Sequence, residues 1–156
     1  MAKKYWLMKT EPDVFSIGHL KGRPGKQEHW DGVRNYQARN HMRDGMKLGD
    51  EVLFYHSSCE TVGVAGIAVI SGEARPDPSA LDPKSKYFDR RAKPDANPWV
   101  MVDVKFKQEF PEVVPLAQLR TTPGLGAMLV IKRGMRLSIQ PVTPEEFAIV
   151  LKLAKA

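Results

Sequence analysis

Between Val62 and Ile70 the chain sets Gly63, Ala65, Gly66 and Ala68 among apolar residues. Small residues at that density suit a strongly bent central strand, where neighbouring backbones approach closely, as in a closed or half-closed barrel. Other segments supply its partners. Tyr5 to Lys9 reads as a strand that Thr10-Glu11-Pro12 ends, because proline cannot donate to a sheet ladder. Over Glu51 to His56, Val52, Phe54 and His56 alternate with Leu53, Tyr55 and Ser57, the period of a strand. Trp99 to Phe106 alternates in the same way, with Val100, Val102, Val104 and Phe106 on an apolar face and Trp99 on the other. Leu137 to Gln140 reads as a last strand.

Short helices are predicted between these strands. Phe15 to Leu20 has Ser16 near its N-cap, and Asn35 to Asp44 is capped by Asn35 and closed by Gly45. Pro115 to Arg120 carries proline in its first turn. The C-terminal helix is marked best: Thr143 as N-cap, Pro144 next and Glu146 three residues on form a capping box before Phe147, Val150 and Leu151. Between Gly72 and Pro98 lie five of the twelve prolines, which predicts a long irregular excursion. Strands divided by short helices, with no regular βαβ alternation, give an α+β domain around a curved sheet or barrel, one domain over residues 1–156.

A chain of 156 residues buries a core without metal or disulfide support. Cys59 is the only cysteine, and no charged-then-apolar leader opens the sequence, so the expected location is cytoplasmic, or nuclear in a eukaryote. The longest uncharged run, Thr61 to Gly72, is too short for a membrane span. His19, His29, His41, His56 and Cys59 match no zinc-ligand spacing, so no metal is expected. Cys59 with His56 lacks an orienting acid and reads as an ordinary thiol. Gly124-Leu125-Gly126 lacks the third glycine of a dinucleotide fingerprint, and no phosphate-loop motif occurs, so no cofactor is expected.

The charge balance is more suggestive. Lys and Arg number 24 against 18 Asp and Glu, a formal net charge of +6, which favours polyanions through phosphate contacts and counterion release. Aromatic residues beside basic segments add to this, since a flat side chain stacks on any base while a cation holds the phosphate. Trp30 precedes Asp31-Gly32-Val33-Arg34-Asn35-Tyr36 outside any continuous apolar run. It reads either as a stacking platform or as a half-buried lid. Asn35 caps a helix or reads a ligand. Tyr36, Arg39 and Arg43 share one helix face that is solvated or contacts phosphate. Trp6 reads as core.

Four ordered blocks carry a resemblance: Tyr5-Trp6-Leu7-Met8-Lys9-Thr10-Glu11-Pro12, Trp30 through Asn40, Gly49 through Ser57, and Gly63-Val64-Ala65-Gly66. With Tyr87-Phe88-Asp89, Pro98 through Val104 and Arg136 through Val142, they resemble the EVE domain family over nearly the whole chain. The resemblance implies a PUA-like fold, a bent β-barrel with peripheral short helices, related to the YTH domains that read methylated adenine in RNA. It further implies binding of a modified base, methylated or hydroxymethylated, in DNA or RNA; with no paired carboxylates, metal cluster or triad in the sequence, a non-catalytic module is expected, acting as a monomer.

Carried over by motif, Trp30 is similar to a stacking wall. Lys9, Thr10, Asn35, Tyr36, His56 and Ser57 resemble the pocket rim and its polar readers, with Phe88 and Trp99 as further members. Arg34, Arg39, Arg43, Lys84, Lys86, Arg90 and Arg91 would hold phosphates. Thr10 stands where many family members have serine, which keeps the hydroxyl. Phe88 stands where tyrosine is frequent, which removes one. Two other readings stay open: an enzyme acting on a nucleobase or nucleotide, and a small-molecule or protein-interaction module. Glu11 and Asp31 are the acids nearest the expected pocket, each expected to orient a backbone amide or pair with arginine.

Overall fold

The computed structural model describes residues 3–155. Its centre is a mixed six-stranded sheet in the order β2-β5-β4-β3-β1-β6. The strands are β1 (Tyr5–Thr10), β2 (Gln27–Trp30), β3 (Glu51–His56), β4 (Gly63–Pro76), β5 (Val100–Pro115) and β6 (Ile139–Val142). Between and after them lie α1 (Ile17–Lys21), α2 (Tyr36–Asn40), α3 (Leu116–Thr121) and α4 (Pro144–Leu153). β1 and β3 run parallel, and every other pairing in the sheet is antiparallel. This is the expected α+β class.

Period-two alternation sorts the strands into two cores. Trp6, Met8, Val52, Phe54, Ala68, Ile70, Val102 and Val104 face one side, where Ile17, Leu20, Ala38 and Met42 close over them. Leu7, Leu53, Tyr55, Val64, Ile67, Phe110 and Val114 face the other, under Leu119, Phe147 and Val150. Both faces of the sheet are therefore covered, which is why β3 is buried along most of its length.

The small-residue strand bends as its composition demands. The β4–β5 pairing shifts register at four places, from Val64/Gly66 to Gly72/Arg75, and each shift adds local twist. A Cβ on Gly63 would run into the Val114 carbonyl, and one on Gly66 into the Gln108 carbonyl and Ile17 Cγ1. Pro111 sits opposite the first of these shifts, where β5 needs no ladder donor.

Several boundaries differ from expectation. β4 continues to Pro76, so the irregular excursion begins at Asp77 rather than Gly72: Gly72, Arg75 and Pro76 pair with Asp103, Met101 and Val100 despite their polar sequence. β5 runs nine residues past Phe106, paired on β4 through its charged half. β6 begins two residues late, and β2 was not expected as a strand. The helix expected over 35–44 is α2 followed by a π-helical turn, His41–Gly45, in which the Met46 amide donates to the His41 carbonyl at 2.9 Å. Gly45 is needed there because a Cβ would lie 2.7 Å from the Trp6 ring. The Ser16 and Thr143 capping boxes both form, the first with His19 as the returning side chain.

The bend makes a direct prediction. Gly66→Val is expected to lower stability by about 2–3 kcal/mol through overpacking against β5 and α1, measured as a fall in the urea midpoint with an unchanged slope.

Candidate nucleic-acid interface

Parallel pairing of β1 with β3 ends both strands at one place. There the Ser57 amide donates to the Thr10 carbonyl (2.9 Å) and the Lys9 amide to the Ser138 carbonyl (2.8 Å). The end of β2 faces this point, and the 77–99 excursion closes the third side. Together they bound a cleft of about 690 Å³ whose lining includes Lys9, Thr10, Trp30, Ser57, Tyr87 and Ser138. Its cations are Lys9, Arg23, Arg34, Lys86 and Arg136; its acids are Glu11, Glu28 and Asp31.

Trp30 is both wall and core. It is 9% exposed, and its indole meets Phe54 edge-on at 5.6 Å and Phe15 at 6.4 Å, with interplanar angles of 82° and 81°. Such edge-to-face pairs fix a ring's plane as well as burying its area. Lys9 lies in the same cleft with Nζ donating to the Met135 carbonyl at 3.0 Å, and burial lowers its pKa below the usual lysine value.

The turn after Trp30 is held by Asp77, whose side chain is wholly buried. Its Oδ2 accepts from the Gly32 amide (2.9 Å) and from Arg34 Nη1 (3.0 Å), and its Oδ1 from the amide and hydroxyl of Ser79 (2.8 and 2.6 Å). Burial alone would raise the Asp77 pKa, but the bonds from Ser79, Gly32 and Arg34 outweigh it and hold the carboxyl below its usual range. Gly32 has φ +77°, and a Cβ there would lie 2.7 Å from the Tyr87 ring. Glycine is required on both counts.

The structure brings together only part of the expected site. Lys9, Thr10, Trp30 and Ser57 line the cleft, whereas Asn35, Tyr36, His56, Phe88 and Trp99 do not. Asn35 Oδ1 caps α2, accepting from the Ala38 amide at 3.0 Å. His56 Nε2 accepts from the Ile17 amide at 3.1 Å, and burial lowers its pKa. Trp99 is buried beside Ala80 and Ala92, with Nε1 donating to Asp89 Oδ2 at 2.8 Å, although its strand pattern set it off the apolar stripe. Tyr36 stacks on Trp99 at 4.8 Å and stays 57% exposed, with the Arg39 guanidinium 4.9 Å from its ring. Phe88 is exposed, and its neighbour Tyr87 faces the cleft instead.

The cations divide likewise. Arg34 is committed to the protein: Nε donates to the Tyr87 carbonyl, Nη1 to the Val33 carbonyl and Asp77, and Nη2 to Ser79. Four of its five N–H groups are therefore taken. Arg43 forks onto Asp44 (2.9 Å, twice), and Arg39 donates to Asn40 and to the Pro98 carbonyl. Of the expected phosphate holders on the excursion, Lys86 lines the cleft, while Lys84, Arg90 and Arg91 lie outside its lining. Phe15, Arg23, Glu28, Tyr87, Arg136 and Ser138 also line it without having been expected from sequence. Only chain reversals that no local pattern encodes bring them there.

The EVE domain family matches residues 4–153. The chain belongs to that family. This EVE domain is 43% identical over 165 residues to human thymocyte nuclear protein 1, covering 96% of this chain and 73% of that protein. A crystal structure of a Pseudomonas putida protein is similar at 53% identity and TM-score 0.92, covering 96% of this chain and 99% of that one. A crystal structure of the human THYN1 protein in complex with 5-methylcytosine-containing DNA is similar at 43% identity and TM-score 0.92, covering 99% of each chain. Among the described residues, no helix of this EVE domain is long and apolar enough to cross a membrane.

The Asp77 knot predicts how the domain responds to substitution and acid. Asp77→Asn puts an amide donor where a buried oxygen accepts, removes the counter-charge of the partly exposed Arg34, and is expected to cost about 1–3 kcal/mol near neutral pH. The folded-state pKa lies below that of the unfolded chain, so this contribution is complete above about pH 4 and is lost as pH falls through the folded value. Urea titrations at a series of pH values should show a steep acid loss in the wild type and a flatter one in Asp77→Asn.

Proposed function

We propose that this chain, acting as one EVE domain, is a non-catalytic reader that takes a modified base of the 5-methylcytosine type from DNA into the cleft beside Trp30. The observation that carries the reading is the cleft itself, where a fixed indole wall stands among hydroxyls and cations in a volume of about 690 Å³, within the range of small-molecule sites. The complex of the human relative with 5-methylcytosine-containing DNA supports DNA as the polymer.

In this reading Trp30 stacks on the base, and Lys9, Thr10 and Ser57 meet its edge. Lys86 on the excursion and Arg23 and Arg136 across the cleft meet the flanking phosphates, with Lys84, Arg90 and Arg91 extending the basic surface. Extracting a base costs a few kcal/mol, and stacking returns about 1–3 kcal/mol, so phosphate contacts complete the balance. Such a module acts wherever the nucleic acid is kept, cytoplasm or nucleus.

Binding of a labelled oligonucleotide carrying one 5-methylcytosine, followed by fluorescence anisotropy, tests the reading. Affinity is expected to exceed that for the unmethylated oligonucleotide and to fall linearly on a log–log plot against salt. Trp30→Phe, which keeps an aromatic in the core, should weaken binding several-fold, and Trp30→Ala about 5- to 150-fold if the fold survives. Equal affinity for methylated and unmethylated strands, or release of free base on incubation, contradicts the proposal.

A further inference from the structure

We propose that Val14 is a wedge that enters the base stack when a methylated cytosine leaves it for the cleft, so that this domain reads the base out of duplex DNA. The inference rests on the base-cleft reading above and adds the form of DNA from which the base is taken.

The apolar wall of the cleft runs from its depth to its mouth. Buried Trp30 meets the Phe15 ring edge-on at 6.4 Å, and Phe15, partly buried against the same core, also meets Phe54 at 6.1 Å. Val14 precedes Phe15 in the chain and extends that wall outward: it lines the cleft, yet it is 54% exposed. Single exposed apolar side chains are ordinary on a protein surface, and the described residues include three other large ones, Tyr36, Leu48 and Phe88. None of those three lines the cleft. What sets Val14 apart is its place at the mouth.

The turn that carries Val14 is held firmly. The Val14 and Phe15 amides both donate to the Glu11 carbonyl at 2.9 Å, and the Phe15 ring anchors the turn on the core. A β-branched side chain on such a turn has little freedom to lose when it is inserted. The neighbouring charges divide the work. Glu11 and Asp13, both exposed, make this turn a poor partner for phosphate. Arg23, whose guanidinium lies 5.2 Å from the Phe15 ring, and Arg136 line the same cleft and suit the backbone instead. The apolar tip is left to meet bases.

The physical need for such a tip arises only in a duplex. A base drawn out of a double helix gives up its pairing and stacking and leaves a gap between its neighbours. An apolar side chain inserted at the opened step fills that gap and is itself withdrawn from water. A single strand holds no such gap open. The methyl groups of Val14 therefore contribute to binding when the base comes from a duplex and stay in water when it comes from a single strand.

The test uses the full chain and one labelled strand with a single 5-methylcytosine, either alone or annealed to its complement, with binding followed by fluorescence anisotropy. The wild type is expected to bind both forms. Val14→Ala should weaken duplex binding about five- to fifteen-fold, the worth of two methyl groups withdrawn from water, and leave single-strand binding within about two-fold. Val14→Leu, which restores an apolar tip, should recover duplex binding, and Trp30→Phe should weaken both forms. If Val14→Ala weakens both forms alike, or neither while Trp30→Phe weakens both, the cleft reading stands and the wedge is overturned. A wild type that binds the single strand and not the duplex also overturns the wedge. If Trp30→Phe changes neither affinity, the base cleft fails and the wedge with it.

Discussion

The buried Asp77 carboxylate ties together three pieces of chain that share no strand pairing at that point: the Gly32 turn after β2, Arg34 before α2, and Ser79 at the start of the excursion. A buried charge of this kind is tolerated only when paired and fully hydrogen-bonded, and here both oxygens are engaged. The cleft depends on it. Without the bond to Gly32 the turn that presents Trp30 and Asp31 loses its anchor, and without Arg34 the Tyr87 wall loses the guanidinium that holds its carbonyl.

The same knot separates binding from support among the basic residues. Arg34 lines the cleft yet serves the fold, because its donors point into Asp77, Ser79 and two carbonyls. One guanidinium thus fixes both the Tyr87 wall and the turn that carries Trp30.

Much of the fold is legible in the sequence, where local chemistry decides it. The capping box at Thr143, the glycines of β4 and the alternation in β3 each act within a few residues, and they appear as read. The misses lie where pairing overrides local pattern. Gly72 to Pro76 and Lys107 to Pro115 look polar and irregular, but each gives the other strand a partner across a bulged ladder. Trp99 looks exposed from its strand phase, yet the excursion folds over it and supplies Asp89 as a partner for its indole N–H.

The candidate site was legible in its blocks and less so in its members. Lys9, Thr10 and Ser57 meet because parallel strands end in register, and Trp30 turns out to be wall and core together, so the two readings of that residue are not exclusive. Asn35 and His56 sit in the same blocks but direct their side chains to the Ala38 and Ile17 amides. A motif fixes which residues are near one another, whereas hydrogen-bond partners from distant segments decide which of them line the cleft.

The central claim is that a methylated cytosine stacks on Trp30. The most direct measurement is a nuclear Overhauser experiment on the complex with an oligonucleotide bearing a ¹³C-labelled 5-methyl group on its single modified cytosine. The account predicts a methyl resonance displaced by the indole ring current, with cross-peaks to Trp30 ring protons and to residues of the Lys9–Thr10 wall. A bound complex whose methyl resonance is undisplaced and shows cross-peaks only to residues outside the cleft would contradict it.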